Sequence, residues 1–331
     1  MLKTTFALLF SVCLTAGAAG AAEVKPAVLY DLGGKFDKSF NEAAYAGAEK
    51  FKKDTGVDYR DFEIQNDAQR EQALRNFARK GFSPIVAIGF TQASAVEKVA
   101  KEFPDLKFAI VDMVVDLPNV RSIVFKEQEG SWLVGVLAAE ASKTHAVGFV
   151  GGMDIPLIRK FACGYVGGAK SVDPKIEIFQ NMTGTTGAAW NDPVKGGELT
   201  KSQIDRGADV IYHAAGGTGL GVLQAAADAG KLGIGVDSNQ NHLHPGKVLT
   251  SMVKHVDVAV YDAFQDAKAD KWTAGVRVLG LKENGVGWAL DDYNKALITP
   301  AMKAAVEKAE KDILSGTLVV HDYMADKTCP Y

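Results

Sequence analysis

No run of lysine and arginine dense enough to coat a phosphate backbone occurs in this sequence, and its 37 basic residues are balanced by 40 acidic ones, a formal charge of −3. Nucleic acid is therefore a poor partner. Cysteine is down to three residues, none paired at zinc-site spacing. Catalytic signatures are missing too: there is no G-x-S-x-G, no H-E-x-x-H and no cysteine with a matching histidine. His242 and His244 in NQNHLHPG have metal-compatible spacing, but Pro245 and Gly246 explain a polar loop without metal, so no metal or cofactor is expected. After the first two dozen residues, no apolar run approaches the length needed to cross ~30 Å of hydrocarbon.

What is present is apolar material for a sizeable core, 47% of 331 residues, at a length near twice the usual domain. Two lobes are expected. The first residues read as an export signal: Lys3 is the positive start, Phe6 to Leu14 the apolar stretch, and AGAAGAA (Ala16 to Ala22) the small residues of a cleavage site. Removing residues 1–22 takes away only Lys3, leaving 36 minus 40, or −4. Cys13 follows Val12 rather than a small residue and sits early, so a lipid anchor is not expected. Cys163 and Cys329 remain, an even number for an oxidising compartment. A bridge holding the C-terminal tail and two separate thiols both fit.

Apolar runs of strand length alternate with stretches of helical period. PAVLYDL (26–32), PIVAIG (84–89), LKFAIVD (106–112), AVGFVG (146–151), ADVIYHA (208–214) and LGIGVD (232–237) lack polar alternation, as parallel strands covered on both faces do. Between them, Ala44, Gly47, Ala48 and Phe51 share one helical face, as do Val96, Val99, Ala100 and Phe103. The alternation predicts βαβ units in an α/β fold of two doubly wound parallel-sheet lobes joined by a multi-strand hinge. The expected division is a signal peptide (1–22), an N-terminal lobe (23–143), a C-terminal lobe (144–254) and crossover segments contributing to both (255–331). A long helix over 127–143 joins the lobes in this reading.

In open parallel sheets, ligands bind beyond the carboxyl ends of the strands. Three strands here end in aspartate: Asp31, Asp112 and Asp237. Each alone is accounted for by capping or a turn. Together, at the same end of two facing sheets, they would surround one cleft. In DLGGKFDKSFNEAAYAG, Ser39-x-x-Glu42 fits a capping box, which starts a helix at Ser39 and puts Phe40 and Asn41 in its first turn beside Asp31. Phe40 offers either a stacking face or a staple into the core; Asn41 offers donors and acceptors. AGGTGLG (215–221) is an imperfect phosphate loop, suited to an anion or to close backbone approach. Trp190, in TTGAAWNDP, is either loop packing or a second stacking face.

These residues resemble a known family. DLGGKFDKSFNEAAYAG, GFTQASAVEKVAKEFPDLKFAIVD, AAWNDPVKG, AAGGTGLGV and IGVDSNQ followed by LTSMVKHVD look like the basic membrane protein family of ABC-importer substrate-binding proteins, over nearly all of the chain after residue 22. The resemblance implies the type I periplasmic binding fold, no catalysis and no cofactor. It implies a periplasmic, monomeric receptor that takes a purine nucleoside in the inter-lobe cleft and hands it to an inner-membrane ABC permease. By position, Phe40 and Trp190 would sandwich the base, Asn41 would read it or hold the cleft, and Asp31 and Asp112 would hydrogen-bond it. Asp237 and Lys254 would engage the ribose, and Gly216 would leave room for the sugar. A sugar, autoinducer or flavin receptor, or less readily a nucleoside hydrolase, is the alternative.

Overall fold

The computed structural model describes residues 24–331, so the expected export signal lies outside the described residues. In chain order, β1 (Ala27–Tyr30), α1 (Phe40–Thr55), β2 (Arg60–Glu63), α2 (Gln69–Arg79), β3 (Ile85–Ala87), α3 (Ala93–Glu102), β4 (Phe108–Val111) and β5 (Val120–Phe125) build a first lobe. After α4 (Glu127–Ala141) come β6 (Ala146–Met153), α5 (Pro156–Val172), β7 (Glu177–Gly184), α6 (Pro193–Asp205), β8 (Val210–Ala214), α7 (Gly219–Asp228), β9 (Leu232–Asp237) and β10 (Val248–Lys254). The chain then returns to the first lobe through α8 (Val256–Lys268) and β11 (Gly275–Leu279), and ends with β12 (Val286–Trp288), α9 (Pro300–Leu314) and α10 (Tyr323–Asp326).

The strands form two six-stranded sheets of matching order, β11-β5-β4-β3-β1-β2 and β12-β10-β9-β8-β6-β7. Every pairing is parallel except β10 with β12. The central runs behave as two-sided strands: Ala27 to Tyr30 and Phe108 to Val111 have no exposed surface. Each fully buried valine, leucine or isoleucine there contributes about 1.5–3 kcal/mol of transfer free energy. The face Ala44, Gly47, Ala48 and Phe51 of α1 is buried as its period implies. At Gly47 the crossing with α8 is so close that an added Cβ would lie 2.1 Å from Asp257 O, so no larger residue fits.

The chain crosses between the lobes at residues 125–127, 254–256 and 279–286. The first crossing precedes α4 rather than following it. That helix packs on α5 and β10, so 127–141, expected within the N-terminal lobe, sits with the second sheet. Cys163 on α5 and Cys329 are joined in a disulfide, which resolves the open pairing. The tail is held further by Tyr331, whose ring meets Trp132 of α4 edge-on at 5.3 Å.

Candidate functional site

The carboxyl ends of both sheets face one cavity of about 590 Å³, counting the space open at its mouth. The eight residues singled out from the sequence, Asp31, Phe40, Asn41, Asp112, Trp190, Gly216, Asp237 and Lys254, all line it. Residues the sequence reading did not single out complete the wall: Leu32, Asp37, Gly89 and Phe90 on one side, Leu157, Ile158, Phe161, Ala214, Ala215 and Val236 on the other.

The start of α1 is built differently from the expected capping box. Ser39 is the N-cap residue, but its side chain makes no cap bond. Asp37 does that work: Oδ1 accepts from the N–H groups of Ser39 (2.8 Å) and Glu42 (3.1 Å), and Oδ2 from the N–H of Asn41 (3.1 Å). A carboxylate at a helix N-terminus satisfies otherwise unpaired donors and complements the helix dipole. Ser39 is thereby free to point across the cleft, where Oγ donates to Asp237 Oδ2 at 2.6 Å. Gln240 Nε2 donates to Lys38 O and Ser238 Oγ to Ser39 O, so the second lobe clasps this loop. The D-x-S spacing was the available signal, but S-x-x-E matched a better known pattern.

Asn41 is buried, and its side chain is spent locally. Oδ1 accepts from Asp31 N at 3.0 Å, while Nδ2 reaches Asp37 Oδ2 at 3.2 Å. These bonds tie the turn at Asp31 to the start of α1. The Asp31 carboxylate is gripped from behind by Arg70 (2.7 Å) and Thr91 (2.5 Å). Gly89 packs so closely against it that a Cβ would lie 2.4 Å from Asp31 Oδ2.

Asp112 and Asp237 end β4 and β9, the same position in the two sheets, and both adopt left-handed backbone, φ 69° and 63°. Aspartate tolerates that region better than most residues. Burial pushes both carboxyls up to about 6, with Lys254 opposing. One oxygen of Asp112, Oδ1, is buried with no hydrogen-bond partner. Its other oxygen accepts from Lys254 Nζ at 2.7 Å, across the cleft. Burial works against a charged Lys254, yet Asp112, Glu127 and Asp237 outweigh it and hold the ammonium above the ordinary lysine value. Phe40, Phe125 and Phe161 surround that ammonium, with ring centroids 5.1, 4.9 and 5.6 Å away.

Trp190 closes a short turn of 3-10 helix, Gly187–Trp190, after β7. Its ring lies on Gly152, where a Cβ would come within 2.2 Å of Cζ3. The glycine-rich turn after β8 packs closely on this loop: Thr218 Oγ1 donates to Ala189 O, and a Cβ on Gly217 would lie 3.3 Å from Trp190 O. Gly216 has φ 55°, a conformation in which a side chain would be strained. Among the described residues, no cluster of three His, Cys, Asp or Glu side chains is arranged to hold a metal.

Two matched parallel α/β lobes around one aromatic and carboxylate-lined cavity define the fold class, the type I periplasmic binding fold that ABC-transporter solute-binding proteins share. A solute-binding protein of an Aeropyrum pernix K1 ABC transporter system superposes with a TM-score of 0.83 at 29% identity, covering 90% of this chain and 94% of that one. The Bmp family model, described as ABC transporter substrate-binding protein PnrA-like, matches residues 24–322, and the chain belongs to this family. A Lactococcus lactis subsp. cremoris relative, "ABC transporter nucleoside-binding protein BmpA", is 34% identical over 321 residues, 90% of this chain and 89% of its own. A Pyrococcus abyssi relative, 38% identical over 82% of this chain and 70% of its own, is named an uncharacterized lipoprotein.

Proposed function

We propose that this protein is a periplasmic, monomeric receptor that closes on a purine nucleoside and delivers it to an inner-membrane ABC permease, without turning it over. The observation that carries this reading is the cavity itself, lined by Phe40 from one lobe, Trp190 from the other and strand-end carboxylates from both. A base between two rings gains about 1–3 kcal/mol from stacking. The partnerless Oδ1 of Asp112 suits an N–H donor on the base. Asp237 and Lys254 suit ribose hydroxyls, which both accept and donate. Asp31, Asp37, Asp112 and Asp237 disfavour a nucleotide, whose phosphate would meet them with Lys254 as the one cation on the wall. Both lobes touch the ligand in this reading, so binding stabilises closure by its differential affinity for the closed form.

The relative in Lactococcus lactis named a nucleoside-binding protein supports the ligand class. Calorimetry with adenosine, guanosine, inosine and riboflavin tests it: heat of binding with at least one nucleoside is expected, and none with all three overturns it. Prolonged incubation with inosine is expected to release no free base. For export we propose a soluble form, because Val12 precedes Cys13. Recovery in the osmotic-shock fluid, rather than with membranes, checks this.

A further inference from the structure

Glu127 stands in the first turn of α4, where the chain leaves the first lobe, and is buried without lining the cavity. Its Oε1 lies 3.0 Å from Lys254 Nζ and its Oε2 2.9 Å from Lys160 Nζ. Both contacts are close charge pairs rather than aligned hydrogen bonds. Lys160, on α5, is itself buried and donates to Phe125 O at 2.7 Å. A line of alternating charge therefore runs from Asp112 through Lys254 and Glu127 to Lys160, which meets backbone at the inter-lobe crossing and lies 3.8 Å from Asp322 Oδ2.

The ammonium of a lysine is a point charge on a flexible stem, with no direction of its own. Around Lys254 the rings of Phe40, Phe125 and Phe161 offer no competing acceptor. With Asp112 as its sole partner, Lys254 would settle fully onto that carboxylate, and each would neutralise the other. Glu127 holds the same ammonium at 3.0 Å, and Lys160 shares Glu127 in turn. We propose that Glu127 is a positioning residue for ligand recognition: by sharing Lys254 with Asp112 it leaves the ammonium directed at the ligand, and so sets discrimination by the ribose hydroxyls.

This rests on the nucleoside reading above, in which Lys254 meets the sugar. The test is calorimetry of wild type and Glu127→Gln with guanosine and with 2′,3′-dideoxyguanosine. Wild type is expected to prefer the ribonucleoside by about tenfold or more, the scale of one hydrogen bond to a charged group. In Glu127→Gln that ratio falls several-fold without reaching one, because Asp237 still meets the hydroxyls, chiefly through weaker guanosine binding, and Glu127→Asp, which keeps the charge, recovers part of it. An unchanged ratio beside a uniform fall in affinity means a structural role and overturns the inference while the receptor reading stands. Failure of wild type to bind any nucleoside overturns both, and is seen before any variant is made. A crystal structure of the wild-type complex is an independent readout should Glu127→Gln not fold. Lys254 Nζ within hydrogen-bond reach of both Glu127 and the ligand supports the inference; Lys254 turned away from either overturns it.

Discussion

The two lobes share a strand order position for position, yet they present different walls to the cavity. Where β1 leads into the gripped carboxylate of Asp31, the corresponding β6 carries Gly152 one residue before its end, bare backbone on which Trp190 lies. Where α1 begins with Asp37, Phe40 and Asn41, the corresponding α5 contributes Leu157, Ile158 and Phe161. Only the β4 and β9 ends match, with Asp112 and Asp237 in the same left-handed conformation. The first lobe thus supplies most of the polar side chains of the wall, and the second supplies apolar surface plus one acid and one lysine. Duplicated topology fixes where a ligand goes; the side chains at strand ends then divide the work, which favours a ligand with one polar edge and flat apolar faces.

Lys254 is where the two walls depend on each other most. Lys254→Met leaves Asp112 and Glu127 buried without their shared cation, and loss of one partner of a buried pair costs about 3–5 kcal/mol. Urea unfolding without ligand should show that loss, and calorimetry an absence of nucleoside binding. Next come the two rings. Phe40→Ala and Trp190→Ala should each weaken nucleoside binding by about 1–3 kcal/mol with little change in unfolding midpoint, since both side chains are only partly buried. If just one of them matters, the sandwich is wrong and one lobe alone does the stacking.

Asp37→Ala addresses the first wall by itself. Losing an N-cap costs about 0.5–2 kcal/mol, read as a lower unfolding midpoint, and the start of α1 should loosen around Phe40. The smallest effect concerns protonation. Asp37, Asp112 and Asp237 titrate near 6 when folded, because burial disfavours their charge, against about 3.9 unfolded. Their contribution to stability is full below about pH 4 and is lost as pH rises through 6. Buried His213, held down to about 4, has the opposite sign, losing stability as pH falls from about 6.5. Asp112→Asn removes one acid from this balance. The stability of wild type relative to that variant should therefore grow as pH drops from 7 to about 4, and a flat difference would show Asp112 stays ionised.

Much of this could be read from the chain before folding, where a local pattern carried the information. The runs at β1, β3, β4, β6, β8 and β9 are apolar because both their faces are covered. β2 escaped because it is an edge strand, Arg60–Glu63, whose side chains are half or fully exposed. β5 was masked by Arg121, buried yet paired to Asp266 at 2.9 Å, and β10 by Thr250 and Ser251, buried but hydrogen-bonded to Ala289 O and Asn241. In the site, aspartates ending apolar runs were conspicuous, while Asp37 and Glu127 were not, being one acid among several in polar stretches.

Composition, period and strand-end chemistry were thus enough to specify two α/β lobes and the aspartates at three strand ends, since those signals are written within a few neighbouring residues, whereas Trp190, Gly216 and Lys254 were assigned through the family resemblance. Which acid caps α1, which carboxylate steers Lys254 and whether Cys163 meets Cys329 belong to the folded chain. The cap falls to the neighbouring Asp37 because Asp237, 198 positions from Ser39, takes the serine hydroxyl; the other two join partners far apart in the chain, and burial gives such charges and hydroxyls few alternatives once they meet.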